Sequence, residues 1–323
     1  MKPLCPIPLA EIRAAQERNA GGAIRTPLIR LPSGDADRRI YLKLESLQPI
    51  GSFKLRGAGN AIAAAAESHD LTHGVYTASV GNMAQGVAWG AQRLGVPCRV
   101  VVPETAPQNK IDAVLELGGE VVTVSFDDWW QVLTDHHHPG EQGVFIHPVS
   151  NAGVIAGNGV IGLEILDDLP EVDAVIAPFG GGGLSGGIAS ALRELRPEAR
   201  VFASEVETAA PLSASLAAGE ATAIDYTPTF VEGVGGKSVL AEMWPLAQAL
   251  LSGSIVVSLR QIAAAIRLLA ERCNVIAEGA AATSVAAALT GRAGNGNIVC
   301  VISGGNIAFD RLATVLSGRI PEI

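Results

Sequence analysis

The chain has 323 residues, of which 48% are hydrophobic and 17% charged, so it can bury a sizeable core in one large or two moderate domains and is not a disordered chain. Its net charge is −9 and its basic residues form no run longer than a pair, which argues against nucleic acid or an anionic membrane as a partner. The N-terminus carries prolines and charges where a signal peptide needs an apolar segment, and the four cysteines show no metal-type spacing, so we expect a soluble, cytoplasmic protein with reduced thiols.

Short strands alternate with helices between residues 74 and 148. The predicted elements are a strand at 74–79, a helix at 82–94, a strand at 98–103, a helix at 107–118, a strand at 120–124, a helix at 126–137 and a strand at 143–148. Strands that are separated by helices of this length imply right-handed crossovers and a parallel sheet. These residues therefore predict a small domain with a sheet of its own.

The same alternation after residue 148 predicts a second α/β unit. Its elements are a helix at 151–169, a strand at 172–178, a helix at 185–195, strands at 200–206 and 254–258, a helix at 259–272, a helix after Glu278 and a strand from 297. Two early strands, near 28–31 and 40–44, would join this second sheet. The large domain would then be residues 1–73 plus 148–323, with residues 74–147 as an inserted small domain. The stretch 218–238 has no periodicity, which in a compact protein is more often functional than accidental.

Four consecutive glycines, Gly180 to Gly183, stand between a predicted strand and a predicted helix. Their backbone N–H groups can converge on an anion at the helix N-terminus, and two glycines usually suffice for a tight turn, so the loop predicts a phosphate site. The same residues also satisfy the dinucleotide fingerprint through Gly181, Gly183 and Gly186, with Glu205 about twenty residues further on. The glycine pattern alone therefore leaves a nicotinamide-dependent oxidoreductase open.

Two more loops follow predicted strands and carry polar side chains. One contains Ser79 and Asn82, which either cap the next helix or hold a small carboxylate, and the other contains Ser303 and Asn306. Ligands gather at the carboxyl ends of strands in open α/β sheets, so we expect the three loops to line one cleft. Lys54 begins a predicted helix, where the helix dipole disfavours a cation, so it either reaches water or meets a group that requires an amine.

Five segments, in chain order, carry a family resemblance: GSFKLRGAGNAI, ASVGNMAQG, GGGGLSGG, VIAEGAAA and VISGGN. Together they resemble the fold-type II pyridoxal-phosphate enzymes, and most of all the serine/threonine dehydratase (threonine ammonia-lyase) and serine racemase branch, over nearly the whole chain. The resemblance implies a tryptophan synthase β-like α/β fold, in which two open, mainly parallel twisted sheets are flanked by helices. It also implies pyridoxal 5'-phosphate in the cleft between the large and small domains, an amino-acid substrate and a homodimer.

The resemblance also implies a role for each matching residue. Lys54 would be the catalytic residue and carry the cofactor as a Schiff base, with Phe53 beside the ring, Asn82 on its 3-hydroxyl and Ser303 facing its nitrogen. The phosphate would be held by Gly180, Gly181, Gly182, Gly183 and Leu184. The substrate would be held by the loop residues Ser79, Val80, Gly81, Asn82, Met83 and Gln85. Glu278 would either lie near the cofactor ring or cap the following helix.

The reaction that the resemblance implies is β-elimination, in which threonine or serine becomes a 2-oxo acid and ammonia. A racemase or a β-replacement synthase of the same fold, and an amino-acid-binding protein without turnover, are the alternatives. Valine at position 80 replaces the serine of the racemases, and Met83 replaces the usual histidine, which implies a more apolar substrate pocket. The chain also ends without the C-terminal regulatory domain of feedback-controlled members, so we expect an enzyme without that form of regulation.

Two further features are conspicuous in the sequence. Pro211 replaces the aspartate of the cation site that some members build, so Glu205 and the Ala209 carbonyl lack a third ligand, and we expect no metal there. Glu205 is then either solvated or a helix cap.

The consecutive histidines within 135–139 predict a solvated helix end rather than a metal site. Residues 127–130 predict a helix start whose aromatic side chains pack on the small domain.

Overall fold

The structure, a computed structural model, describes residues 2–32, 34–35 and 37–322; residues 1 and 323, the predicted ends of the large domain, lie outside them. The strands are β1 (Leu28–Arg30), β2 (Arg38–Lys43), β3 (Val75–Ala78), β4 (Cys98–Pro103), β5 (Glu120–Val124), β6 (Val144–Phe145), β7 (Ala174–Pro178), β8 (Arg200–Val206), β9 (Gly253–Val257) and β10 (Gly296–Val301). The helices are α1 (Leu9–Arg18), α2 (Lys54–Ser68), α3 (Asn82–Leu94), α4 (Gln108–Glu116), α5 (Phe126–Asp135), α6 (Ala152–Asp168), α7 (Gly183–Leu195), α8 (Pro211–Ala218), α9 (Trp244–Leu250), α10 (Leu259–Cys273), α11 (Gly279–Leu289) and α12 (Phe309–Leu316).

The larger sheet of the described residues has the order β1-β2-β10-β7-β8-β9. Its neighbouring strands are parallel except for the antiparallel pair β1/β2, so the two early strands do join this sheet, as the sequence predicts. Every residue of β7 is buried, because helices cover both faces of the sheet. The uncharged segment from Ala174 to Leu192 forms β7, a loop and most of α7 rather than one continuous helix. None of the described helices is both long and apolar enough to cross a membrane.

The smaller sheet has the order β5-β4-β3-β6, and all of its strand pairs are parallel. The predicted fold class, two mainly parallel sheets flanked by helices, is thereby confirmed. Most predicted ends lie within two residues of the observed ones, and the ends of α5 and β6 are two that differ for a visible reason. α5 ends at Asp135 because His136 adopts a left-handed conformation (φ 56°), which a helix cannot continue. β6 ends at Phe145 because the chain then turns, with the Val149 and Ser150 N–H groups donating to His147 Nδ1.

Helix α2 packs against both halves of the molecule. Its residues Ala58 and Ile62 belong to the core beneath the smaller sheet, while Gly57 lies against Val154 of α6. The predicted domain boundary at residue 74 assigns the whole helix to the large domain, and that division stays a prediction. The cysteines are free thiols, with Cys98 and Cys300 buried.

A cluster of four buried charges lies beneath the first turn of α2. The Arg56 guanidinium donates to both oxygens of Glu45 (2.8 and 2.9 Å) and to both oxygens of Glu164 (2.8 and 2.9 Å). Lys43 Nζ donates to Glu164 at 2.5 Å and to the Thr26 carbonyl at 2.6 Å. Although burial opposes ionisation, the Arg56 guanidinium holds the pKa of Glu45 below its ordinary value. Two cations and two anions therefore neutralise each other in the interior.

Removing the central cation should destabilise the fold strongly. In Arg56→Met the carboxylates of Glu45 and Glu164 would stay buried with Lys43 as their remaining cation, at a cost of about 3–5 kcal/mol in the free energy of unfolding. The matched control is Arg18→Met, which breaks the half-exposed Arg18–Glu67 pair (2.7 Å) and should cost at most about 1 kcal/mol. Chemical denaturation measures both, and equal losses would contradict the importance of the buried cluster.

Candidate active site

The three predicted loops meet in one cavity of about 510 Å³. The predicted site residues that line it are Phe53, Lys54, Ser79, Val80, Gly81, Asn82, Met83, Gly180, Gly181, Gly182, Gly183, Leu184, Glu278 and Ser303. Gln85 instead lines an adjoining cavity of about 670 Å³, which shares with the first the lining residues Gly81, Asn82, Lys110, Glu232, Gly233 and Glu278. Each loop follows the carboxyl end of a strand in a mainly parallel sheet, β3 in the smaller sheet and β7 and β10 in the larger one, and such strand ends are where ligands bind.

Lys54 is the first residue of α2, and the backbone before it is fixed to the end of β10. Ser52 forms a β-bridge with Gly304, and the Phe53 N–H donates to the Ser303 carbonyl at 3.0 Å. The Lys54 ammonium lies 5.1 Å from the centroid of the Phe53 ring. Burial lowers the pKa of Lys54 to about 8, and the nearby Glu278 carboxylate opposes that shift. A larger share of this lysine is therefore the neutral, nucleophilic amine near neutral pH.

An amide–carboxylate chain joins the loop after β3 to the large sheet. Asn82 Nδ2 donates to both oxygens of Glu278 (3.0 and 3.1 Å), and Asn306 Nδ2 donates to Asn82 Oδ1 (2.8 Å) and to the Ile50 carbonyl (2.9 Å). Glu278 is the N-cap residue of α11, but its side chain makes no hydrogen bond to that helix, so the capping role is wrong. Burial raises the pKa of Glu278 to about 7, and the Asn82 amide opposes that shift.

The glycine loop has room for backbone only. A Cβ atom on Gly181 would lie 2.3 Å from Val149 Cγ1, and one on Gly180 would lie 2.6 Å from the Gly233 carbonyl oxygen. Gly182 has a φ of 90°, which glycine adopts without strain, and Gly183 begins α7. The first N–H groups of a helix have no partner within it, so this loop presents donors and a positive dipole end to the cavity.

The loop from Ser79 to Met83 differs from an ordinary capped helix start. The N-cap residue of α3 is Gly81, and no side chain caps the helix, so the capping role of Ser79 and Asn82 is wrong. Ser79 Oγ accepts a long hydrogen bond from Gly81 N (3.4 Å). Met83 is 2% exposed and belongs to the core beneath the smaller sheet while also lining the cavity.

Comparison with known proteins decides the family. The family described as "Pyridoxal-phosphate dependent enzyme" matches residues 20–304. The chain belongs to this family. It is 38% identical over 317 residues to an L-threonine ammonia-lyase of Thermotoga maritima (96% of this chain, 78% of that protein) and 35% identical over 318 residues to the catabolic L-threonine dehydratase of Escherichia coli K12 (96% of each). The structure of maize serine racemase is similar as well, with a TM-score of 0.88 and 31% identity over 97% of this chain and 98% of that one.

The residues of this pyridoxal-phosphate enzyme fit its cofactor. The loop consists of glycines and so carries no side chains that would cover its N–H groups, and a phosphate is the anion that such a helix start accepts. Lys54 offers an amine with a lowered pKa in the same cavity, and the Ser303 side chain lines its wall. The family match excludes the nicotinamide-dependent oxidoreductase that the glycine pattern left open.

Several residues that line the cavities of the enzyme were not among its predicted site residues. Trp129 packs beside Val101 of the smaller sheet, as predicted for the aromatics of 127–130, and also lines the cavity, whereas Trp130 is 50% exposed. Lys110 of α4 and Arg311 of α12 both donate to Glu232, and these three line the adjoining cavity. Glu232 lies in the stretch 218–238, and the lack of periodicity in that stretch was the one feature of the sequence that pointed to a functional residue there.

Glu205 is a helix cap, one of the two roles that the sequence left open. Its carboxylate accepts hydrogen bonds from Leu212 N (2.8 Å) and Ser213 N (2.8 Å) at the start of α8, and from Ser254 Oγ (2.6 Å).

In the histidine-containing segment 135–139, His136 stacks on His147 with ring centroids 4.1 Å apart. No group of three potential metal ligands occurs among the residues that the structure describes.

The raised pKa of Glu278 should make the stability of the cofactor-free protein depend on pH. The folded state keeps the Glu278 proton up to about pH 7, whereas the unfolded chain releases it near its ordinary pKa of 4.5, so this contribution to stability is lost as pH rises through that interval. The variant Glu278→Gln has no carboxyl group to ionise and so does not lose this stability as pH rises. Relative to the wild type, its free energy of unfolding should therefore be about 1–3 kcal/mol more favourable at about pH 7.5 than at about pH 4.5.

Chemical denaturation at the two pH values measures this difference. Glu116→Gln, at an exposed carboxylate of α4, is the control and should show no such dependence. An equal effect of Glu278→Gln at both pH values would contradict the raised pKa.

Proposed function

We propose that this enzyme is an ammonia-lyase that removes the β-hydroxyl group of a β-hydroxy amino acid such as threonine or serine and gives a 2-oxo acid and ammonia. One observation carries the proposal. A lysine whose pKa is lowered to about 8 shares a single cavity with an anion cradle of glycines and with the polar loop after β3. The relatives named threonine ammonia-lyase and threonine dehydratase, at 38% and 35% identity, support it.

The start of α2 and the three loops around the cavity would hold the cofactor. The backbone N–H groups from Gly180 to Leu184 would bind its phosphate, and Lys54 would anchor it covalently. Phe53 would pack beside its ring, Asn82 would donate to its 3-hydroxyl, and the Ser303 hydroxyl would face its ring nitrogen. When bound, pyridoxal 5'-phosphate supplies the electron sink that lets the Cα–H bond of an amino acid break.

The chain's own residues would bind the substrate and move its protons. Ser79, Asn82 and the N–H groups of residues 80–83 would bind the substrate carboxylate, in the position where a helix start favours an anion. Gln85, on the next turn of α3, would contribute from the adjoining cavity. The Lys54 amine would accept the Cα proton, since a base with a pKa near the working pH transfers protons efficiently.

Val80 favours elimination over racemisation. A racemase needs an acid on the second face of the reacting carbon, and Val80, which lines the cavity and stands where the resemblance places the serine of the racemases, has no proton to give. The aspartate that completes the cation site in some members is absent at Pro211, so no metal is part of the proposal. The homodimer and the cytoplasmic location stay predictions.

Replacing Lys54 should abolish the reaction. Lys54→Ala should lower the rate of 2-oxo acid release from threonine or serine by at least about 10²-fold, because both the anchor and the base are lost. The control is Lys237→Ala, at an exposed lysine, which should keep wild-type activity. Borohydride reduction and peptide mapping of the wild type should find the cofactor on Lys54.

Three outcomes of this experiment would overturn the proposal. Cofactor trapped on another lysine would refute the role of Lys54. A bound cofactor with release of the D-amino acid rather than a 2-oxo acid would favour the racemase. Product that forms only when a thiol is supplied would favour the β-replacement synthase.

A further inference from the structure

Part of the cavity lining is apolar in a way that the reaction itself does not require. The apolar side chains that line it include Val80 and Met83, which pack in the core cluster of Val100 and Val102, and Trp129 of α5, which packs in the separate cluster of Val101, while Val149 lies against Gly181. A β-hydroxy amino acid needs polar partners at its carboxylate, amine and hydroxyl, but not beyond Cβ. An apolar lining beside these polar groups is the usual arrangement of a site that selects an apolar substituent.

Two cations that line the adjoining cavity are both paired with Glu232. Lys110 and Arg311 both donate to Glu232, and Asp310 lines the same adjoining cavity. Among the described residues that line the 510 Å³ cavity, the cations are Lys54 and Lys110. An anionic substrate side chain would have to compete with Glu232 for Lys110, so the charges favour an uncharged side chain.

Packing rather than a polar bond holds Trp129 in this lining. Its ring packs on the cluster that contains Val101 and Val132, and its enclosed Nε1 has no hydrogen-bond partner among the described residues. An enclosed donor without a partner is unfavourable, so apolar contact keeps the ring in place. The neighbouring Trp130 is 50% exposed and does not line the cavity. The pair offers a matched comparison on one helix.

We propose that Trp129 is a specificity-determining residue and that, with Val80 and Met83, it selects a β-hydroxy amino acid whose side chain is apolar and larger than that of threonine. The inference rests on the proposed ammonia-lyase activity. A single methylene in an apolar pocket changes kcat/KM by about 10- to 200-fold, so the preference should be large enough to measure.

The first experiment compares substrates on the wild-type holoenzyme. Release of 2-oxo acid is measured for serine, threonine, 3-hydroxynorvaline, 3-hydroxyleucine, 3-phenylserine and 3-hydroxyaspartate. We expect kcat/KM for at least one of the three larger apolar substrates to exceed that for threonine by about 10-fold or more, with 3-hydroxyaspartate the poorest. The highest kcat/KM with serine, threonine or 3-hydroxyaspartate would overturn the inference while leaving the lyase activity intact. Release of no 2-oxo acid from any of them by cofactor-loaded enzyme would refute the lyase activity itself.

The second experiment tests Trp129 by binding as well as by rate. Calorimetric Kd values of the holoenzyme are measured for alanine, leucine and phenylalanine, which have no β-hydroxyl to lose. The wild type should bind the larger amino acids at least about 10-fold more tightly than alanine. Trp129→Ala should remove this difference, whereas Trp129→Phe and the control Trp130→Ala should keep it.

The cofactor absorption of each variant checks that its site is intact. Equal Kd values for the three amino acids in the wild type would overturn the inference even if Trp129→Ala fails to fold. A size preference that survives in folded Trp129→Ala would refute the role of Trp129.

Discussion

The position of Lys54 depends on a group of charges that never touches the cavity. Arg56 lies two residues further along α2, and its guanidinium is bonded to Glu45, in the turn that precedes the helix, and to Glu164 of α6. A buried guanidinium with two bidentate carboxylates accepts little displacement, because any shift would leave a charge without its partner. The first turn of α2 is thereby fixed to β2, to the preceding turn and to α6. Lys54 begins that turn, so its amine reaches the cavity from a rigid base.

The glycine loop is held to the same base through close helix packing. Gly157 of α6 lies so near α2 that a Cβ there would be 2.3 Å from the Arg56 carbonyl oxygen, and Gly187 of α7 would place a Cβ 2.4 Å from the Ile155 carbonyl oxygen of α6. Helix α6 therefore touches backbone on both sides and is buried almost all round, which explains its apolar sequence without a polar face. Lys54 starts α2 and the anion cradle starts α7, so α6 sets the distance between the amine and the phosphate site.

The sequence predicted most elements of the fold and the loops of the site, for identifiable reasons. β4, β5, β8 and α3 have the predicted bounds because turn-forming residues delimit apolar runs in a parallel α/β pattern. Helices α1, α8, α9 and α12, each of ten residues or fewer, were missed, whereas the equally short α4 and α5 were found because a predicted strand stands on either side of each. The three loops were found because glycines and small polar residues follow buried strands. The contact between Lys110 and Glu232 spans 122 residues, and no local pattern records it.

At a helix N-terminus the charged form of a lysine is disfavoured relative to the neutral amine, and the neutral amine is the form that the proposed reaction requires of Lys54. Burial disfavours the ammonium, while Glu278 favours it, and the pKa of Lys54 lies at about 8. Asn82 bonds both oxygens of Glu278 and so stabilises that carboxylate beside the amine. The same amide accepts from Asn306, so one side chain couples the loop after β3 to the large sheet. Any movement of the loop after β3 away from the large sheet would release Glu278 from Asn82 and change the proton affinity of Lys54. The position of that loop and the protonation of the base are therefore coupled through Asn82.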